Sequence, residues 1–254
     1  MLGTTAALIA IGGLGFFVWE DILRARCWGR LSVYSKMVLL ITGLLIVGGA
    51  AFFFLEEYHN PATLGDMPVW EKALNALFQS VTLRTAGFDA IGQGGLSDSS
   101  KAMSTILMLI GGSSGSTAGG IKTATVAVLL LALRSGIRGR EQVTFRGRAI
   151  PFAQVLNAMT LVLVVLFVFL ITSMVISTVE GLPYLNCAYE VASAMATVGL
   201  TTGITPELSR LSQSILILLM YLGRVGILSF SIAFMTGNRR PAKLRYPEIN
   251  VMIG

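Results

Sequence analysis

The sequence predicts an all-α membrane protein built from helix–pore loop–helix repeats. Three observations lead there. Of 254 residues, 54% are apolar and only 13% are charged, with a mean hydropathy of +0.75. A soluble domain carries about 25% charged residues, and half of that cannot clothe a water-soluble surface. Apolar runs at 1–19, 37–55, 102–133, 152–179 and 207–235 have at least the length of a membrane span, whereas two others, 69–83 and 185–196, are too short to cross. Each short run ends in a Thr-small-Gly-apolar motif, and the two copies lie 112 residues apart.

In chain order, 1–19 is one span and carries Gly12-Gly13-Leu14-Gly15. Segment 20–36 is a basic linker, and 37–55 is the second span. Run 69–83 follows an acidic, proline-containing loop and leads into Thr85-Ala86-Gly87-Phe88, so it reads as a re-entrant pore helix with a filter strand behind it. Run 102–133 is longer than a straight span needs and is broken by GGSSGSTAGGIKT at 111–123. It is expected to be two half-helices or a helix with an inserted loop. A second basic linker, 134–150, precedes the long span 152–179. Run 185–196 repeats the pore-helix pattern and leads into Thr197-Val198-Gly199-Leu200. The last run, 207–235, contains Gly223-Arg224-Val225-Gly226, and 236–254 forms a basic tail. The units are therefore 37–133 and 151–235, preceded by the last helix of another. The 28 glycines divide between helix packing, where small residues let backbones approach, and irregular backbone buried in protein.

Charge orients the chain. The linkers 20–36 and 134–150 and the tail hold 13 basic and 4 acidic residues, or +9. The opposite loops sum to −5, and Lys122 and Arg224 add +2 inside apolar segments. The positive-inside rule places the basic loops and the C-terminus in the cytoplasm. This holds only if 69–83 and 185–196 dip in from outside and return.

Several function classes are excluded. Two cysteines and one histidine cannot build a Cys/His metal site. Cys27 and Cys187 fall on opposite sides of the expected membrane and cannot pair, and Cys187 is expected as a small packing residue. His59, in Tyr-His-Asn-Pro, reads as a solvated turn. No nucleophile–base pair or carboxylate dyad appears, so no enzyme, covalently bound cofactor or nucleic-acid partner is expected. Gly115 to Thr123 fails as a phosphate loop because Ile121 stands where Gly and Lys should be adjacent.

The positive signal is two filter-like motifs in acidic vestibules. Backbone carbonyls near Gly87 and Gly199 suit K⁺, because carbonyl dipoles replace water around a weakly hydrated cation. Thr85, Ala86, Phe88, Thr197, Val198 and Leu200 flank those glycines. Residues 111–120 are only Gly, Ser, Thr and Ala, so Gly111, Gly112, Ser113, Ser114, Gly115, Ser116 and Thr117 are expected to form a mobile plug. Lys122 and Arg224 are costly in a membrane and should face an aqueous path or a partner, or form a structural ion pair. Two units cannot close a ring of carbonyls. Either several chains assemble, or these residues are the C-terminal part of a longer protein. Alternatives are a broken-helix carrier coupled to Na⁺ or H⁺, and a non-transporting truncated fragment.

SVTLRTAGFD (80–89), GGSSGSTAGGIKT (111–123), ASAMATVGLTTG (192–203) and GRVGILSF (223–230) together resemble the Trk/Ktr/HKT superfamily of potassium-translocating subunits. The tail RYPEINVMIG (245–254) is more similar to the KtrB branch than to TrkH. The resemblance implies four helix–pore–helix repeats around one pore. On it, 37–133 is the third repeat, 151–235 the fourth, and 1–19 the last helix of the second. It also implies filter glycines at Gly87 and Gly199, an intramembrane gate at 111–120, and an arginine, Arg224, that narrows the pore. It implies K⁺ uptake stimulated by Na⁺, a homodimer in the cell membrane, and a cytosolic ring of nucleotide-binding RCK subunits of the KtrA type.

Overall fold

The computed structural model describes residues 1–140 and 142–225. Glu141, Gly226, the end of the run 207–235 and the tail 236–254 lie outside the described residues. Those described form nine α-helices and one short hairpin: α1 (Leu2–Gly13), α2 (Phe16–Ala25), α3 (Val33–Glu56), α4 (Val69–Thr82), α5 (Asp98–Leu109), α6 (Thr123–Ile137), β1 (Thr144–Phe145), β2 (Arg148–Ala149), α7 (Phe152–Glu180), α8 (Tyr184–Met195) and α9 (Arg210–Val225).

Two of these helices are long and apolar enough to cross a bilayer, α3 with 24 residues and α7 with 29. At 1.5 Å per residue α7 is about 44 Å long, more than the roughly 30 Å hydrocarbon core requires. Ser32 caps the start of α3, accepting the Ser35 N–H at 3.1 Å, ahead of the apolar run that begins at 37. The pore-helix expectations match short helices: α4 has 14 residues and α8 has 12. Neither is long enough to cross. Both are enclosed by neighbouring helices, α4 by α3 and α1, and α8 by α5, α7 and α9. Every residue of α8 from Cys187 to Met195 is buried. Close approach of α4 to α3 depends on Gly49, where a Cβ would meet the Ser80 hydroxyl and Leu107. Ser80 then donates to Ile46 O at 2.9 Å.

One expectation fails. Run 1–19 is not a single helix: α1 and α2 meet at a bend of 95°. Gly15 makes the corner, at φ 77° and ψ 155°. A side chain there would strike Ser114 O and Ser113 Oγ. The second half of the bend enters the predicted linker 20–36 and remains helical as far as Ala25. For 102–133 the two-half-helix alternative holds: α5 and α6 are separated by non-helical residues 110–122.

The same succession occurs twice: long helix, short helix, filter strand, one 3-10 turn, return helix. An offset of 112 relates Thr85 to Thr197, the turns Gln93–Gly95 and Thr205–Glu207, and the helix starts Asp98 and Arg210. Each unit closes with the same latch. Glu57, just past α3, accepts the N–H of Ser97 at 3.0 Å, and Glu180, ending α7, accepts the N–H of Ser209 at 3.1 Å. Each serine in turn caps its return helix through the N–H three residues on, Ser100 at 3.2 Å and Ser212 at 3.4 Å.

Both latch carboxyls sit below the ordinary glutamate range. Burial pushes Glu57 up, but the surrounding hydroxyls, the Ser97 N–H and the Asn60 amide outweigh it. The hydroxyls of Ser209 and then Ser212 lower Glu180. A depressed carboxyl contributes stability above its unfolded pKa, and that contribution is lost as pH falls through the folded value. The thermal midpoint in detergent should therefore drop below about pH 4.3. In Glu57→Gln/Glu180→Gln that acid step should shrink; an unchanged step would assign it to other carboxylates.

Candidate ion-conduction site

The two filter strands are turned by hydroxyls at the ends of their pore helices. Thr82 Oγ1 donates to Phe88 O at 2.7 Å and accepts the Phe88 N–H at 2.9 Å. In the second unit Ser193 Oγ accepts the Gly199 N–H at 3.2 Å, and Ser193 O accepts the Val198 N–H at 2.8 Å. Backbone geometry repeats as well. Thr85 and Thr197 are left-handed at φ 65° and 56°, as are Gly87 and Gly199 at 77° and 92°. Ala86 and Val198 between them are not. Such alternation lets successive peptide groups face one way. At a β-branched threonine it is strained, by about 1–2 kcal/mol.

The strands touch. Where Gly87 would carry a side chain, the carbonyl oxygen of Val198 stands, and Gly94 lies against Thr202 O in the same way. Behind them is a polar network in the core. Gln93 Oε1 accepts Gln79 Nε2 at 2.6 Å and Tyr189 Oη at 2.7 Å, while Gln93 Nε2 donates to Asp89 at 2.7 Å. Tyr189 is on α8, so this network joins the units. Glu190, 4% exposed, plays the supporting part in the second unit. It accepts Thr205 Oγ1 at 2.6 Å, Thr201 Oγ1 at 2.8 Å and the Thr202 N–H at 2.8 Å.

Residues 110–122 form a closed loop on the α1–α2 corner and against the second filter. Its neck is a parallel bridge between Ile110 and Ile121. Gly119 lies against Ala196 O and Thr197 Oγ1 with no room for a Cβ. Ser113 donates its N–H to Gly13 O at 3.0 Å and its hydroxyl to Leu14 O, and Gly115 O accepts the Phe16 N–H at 3.2 Å. Ser116 Oγ turns back to Ser113 O at 2.7 Å. Three cations bind its carbonyls: Arg84 to Gly111 at 3.3 Å, Arg224 to Thr117 at 2.7 Å and Lys122 to Ala118 at 2.5 Å. The loop is non-helical, as its lack of packing side chains leads one to expect, and it is fastened through its backbone. Arg224 meets a carbonyl of this loop, Thr117 O. Among the described residues the ion pair formed is Arg24–Glu20.

Arg84 and Glu190 count, by sequence, among the charges of the loops opposite the basic linkers. Both are buried in the site. A lone carboxylate inside the apolar run 185–196, followed by threonines 11, 12 and 15 residues on, was the available signal for Glu190. Arg84 offered only its place next to Thr85. Cys187 is buried and Cys27 exposed, both free. His59 is exposed, its ring 4.9 Å from that of Tyr58. No cluster of His, Cys, Asp or Glu suited to a metal occurs among the described residues. A cleft of about 540 Å³ runs from Glu190 and Gly199 to Arg224.

The two filter glycines differ in surroundings. Gly87→Ala meets both a left-handed backbone and the Val198 carbonyl, whereas at Gly199 nothing lies within 4 Å. Gly199→Ala should cost about 1–2 kcal/mol and Gly87→Ala more. Thermal unfolding in detergent checks the order.

The family of TrkH cation transport proteins matches residues 4–240. The potassium/sodium uptake protein NtpJ of Enterococcus hirae is 40% identical over 100% of this chain and 57% of its own length. The Ktr system potassium uptake protein B of Bacillus subtilis is 34% identical over 97% of this chain and 55% of its own. The chain thus spans about half the length of the curated relatives it matches. The crystal structure of the potassium transporter TrkH from Vibrio parahaemolyticus superposes with a TM-score of 0.71 at 20% identity, over 95% of this chain and 52% of that one, which establishes a shared fold. With its two units of long helix, short helix and return helix in that arrangement, the chain belongs to the TrkH family of cation transport proteins, a family of membrane transporters and not of enzymes.

Proposed function

We propose that this chain supplies part of the pore of a K⁺ uptake system. The observation that carries this reading is the pair of touching filter strands with left-handed Thr and Gly at matching positions. Carbonyls of Thr85, Ala86, Gly87 and Phe88, and of Thr197, Val198, Gly199 and Leu200, replace the water of a K⁺ ion; the ion is cargo. The filter is strained and rigidly backed, so its carbonyls do not collapse onto a smaller ion. The loop Gly111–Thr117 is the gate below it, and Arg224 and Lys122 hold it in place from Thr117 and Ala118. In this reading 37–133 and 151–235 are the third and fourth repeats, and 1–19 closes the second. Na⁺ acts as a stimulating ion, in keeping with the potassium/sodium description of NtpJ. Relatives described as subunits of Ktr systems support a multi-component complex. Its finer form is a homodimer on a ring of nucleotide-binding RCK subunits. The protein lies in the cell membrane with its basic loops and C-terminus in the cytoplasm.

The test is K⁺ and Na⁺ uptake by cells lacking other K⁺ uptake, with this chain in an assembly of four filter segments. Gly199→Ser is the sounder probe, because among the described residues nothing lies within 4 Å of a Cβ there, which confines its cost to the left-handed backbone at φ 92°. It should lower K⁺-over-Na⁺ selectivity about tenfold or more, equivalent to about 1.4 kcal/mol. Unchanged selectivity would overturn the filter assignment. Deleting 112–118, which leaves the Ile110–Ile121 neck, should raise flux; equal or lower flux would make the loop a structural element.

A further inference from the structure

The connection between α6 and α7 carries Arg134, Arg138, Arg140, Arg146 and Arg148 against one acidic residue, Glu141. Cations of a merely solvated loop spread apart, because like charges repel. This connection gathers them. β1 and β2 pair antiparallel, Thr144 with Ala149 and Phe145 with Arg148, around the two-residue turn Arg146-Gly147. Both turn residues are left-handed, at φ 48° and 77°. An arginine is a poor choice for that backbone, where Asn or Gly is usual, so Arg146 occupies the turn at a conformational cost. The hairpin packs on the end of α6 and is tied to it through Ser135. Ser135 Oγ donates to Gln142 O at 2.8 Å, and Ser135 O accepts the Arg140 N–H at 3.0 Å.

Between hairpin and helix lies a cavity of about 370 Å³, ringed by Arg134, Arg138, Arg140 and Arg146, with Leu131 and Phe145 as its apolar wall. Among the described residues no carboxylate lies within 4.0 Å of these guanidiniums. Four exposed arginines lining one cavity suit an anion, and the guanidinium fork matches a phosphate through paired N–H donors.

We propose that this cavity binds the phosphate group of an anionic phospholipid. The neighbouring surface selects the lipid. Leu133 and Ile137 of α6 are 60% and 79% exposed, and Phe152, the first residue of α7, is 77% exposed. On α6 the exposed apolar pair Leu133 and Ile137 runs beside Arg134 and Arg138, so a headgroup phosphate on the arginines and an acyl chain on the apolar ridge fit one molecule. Neither a free phosphate nor an acidic protein surface needs that ridge. The proposal rests on residence in a bilayer and not on the filter assignment, and the cavity shares no residue with the filter or the gate.

The experiment uses the purified chain in a neutral detergent with mixed micelles of equal phosphatidylglycerol and phosphatidylcholine. Co-purified lipid is counted by mass spectrometry. The unsubstituted chain should retain phosphatidylglycerol preferentially, and Arg134→Gln/Arg138→Gln/Arg140→Gln/Arg146→Gln should lower that preference about tenfold or more. Arg140→Gln/Arg146→Gln, which leaves α6 unchanged, should lower it in part and guards against misfolding of the fourfold variant. Arg24→Gln/Arg26→Gln/Arg30→Gln removes charge from the other basic linker and should leave it intact. No preference in the unsubstituted chain, or equal loss in the Arg24/Arg26/Arg30 variant, would overturn the proposal. Displacement of the lipid by inorganic phosphate at equal concentration would assign the cavity to a soluble anion and overturn the lipid. A Gly199→Ser chain of lowered K⁺-over-Na⁺ selectivity that still retains the lipid would separate this site from the filter.

Discussion

Non-helical backbone at membrane depth must have its N–H and C=O groups satisfied by the protein itself. Two filter strands and the loop 110–122 put this chain under that demand three times, within one small volume. Much of the surrounding structure answers it. Thr82 and Ser193 serve the filter strands, the α1–α2 corner serves Ser113 and Gly115, and three cationic side chains serve the loop carbonyls. The 95° bend at Gly15 belongs to the same solution, because the corner presents Gly13 and Leu14 carbonyls to Ser113. A straight helix there would keep those carbonyls for its own hydrogen bonds.

The cations show how a charge is tolerated at depth. Arg84 is buried, and its contact to Gly111 O, like those of Lys122 and Arg224, is to a carbonyl instead of a carboxylate. A buried ion pair must recover two desolvation penalties. A cation on carbonyl dipoles must recover one, and it keeps its net positive charge. The same hydrogen bonds fasten the loop backbone, so any movement of the loop requires the cations to release it.

The two units share an outline and differ in what lies behind their filters. The first uses neutral amides, Gln79 and Gln93, with Asp89 at the end of the chain of hydrogen bonds. The second uses the carboxylate of Glu190 on three threonines. Each immobilises the strand that follows its filter glycine. The latches, in contrast, are the same in both, a glutamate on the N–H of a capping serine. The latch meets a requirement of the repeat, the joining of outgoing and returning helices. The network behind each filter must fit a particular neighbour, as Tyr189 of the second unit does on Gln93 of the first.

Much of the architecture was legible in the residues. Apolar length separated α3 and α7 from α4 and α8, because the bilayer thickness sets a span and 12 or 14 residues cannot reach across it. The repeated Thr-small-Gly motif located the two strands with left-handed Thr and Gly, and the Gly/Ser run located the break between α5 and α6. These are local properties, governed by hydropathy and backbone freedom over a few neighbours. The bend at Gly15, the burial of Arg84 and Glu190, and the Gln93–Tyr189 bond across 96 residues were decided only in three dimensions. The physical reason is that a polar group in an apolar segment announces a need for a partner, and composition does not say which. In Arg84 and Glu190 the same letters serve a solvated loop and a buried clamp, and the choice depends on which carbonyl or hydroxyl the fold brings within 3 Å.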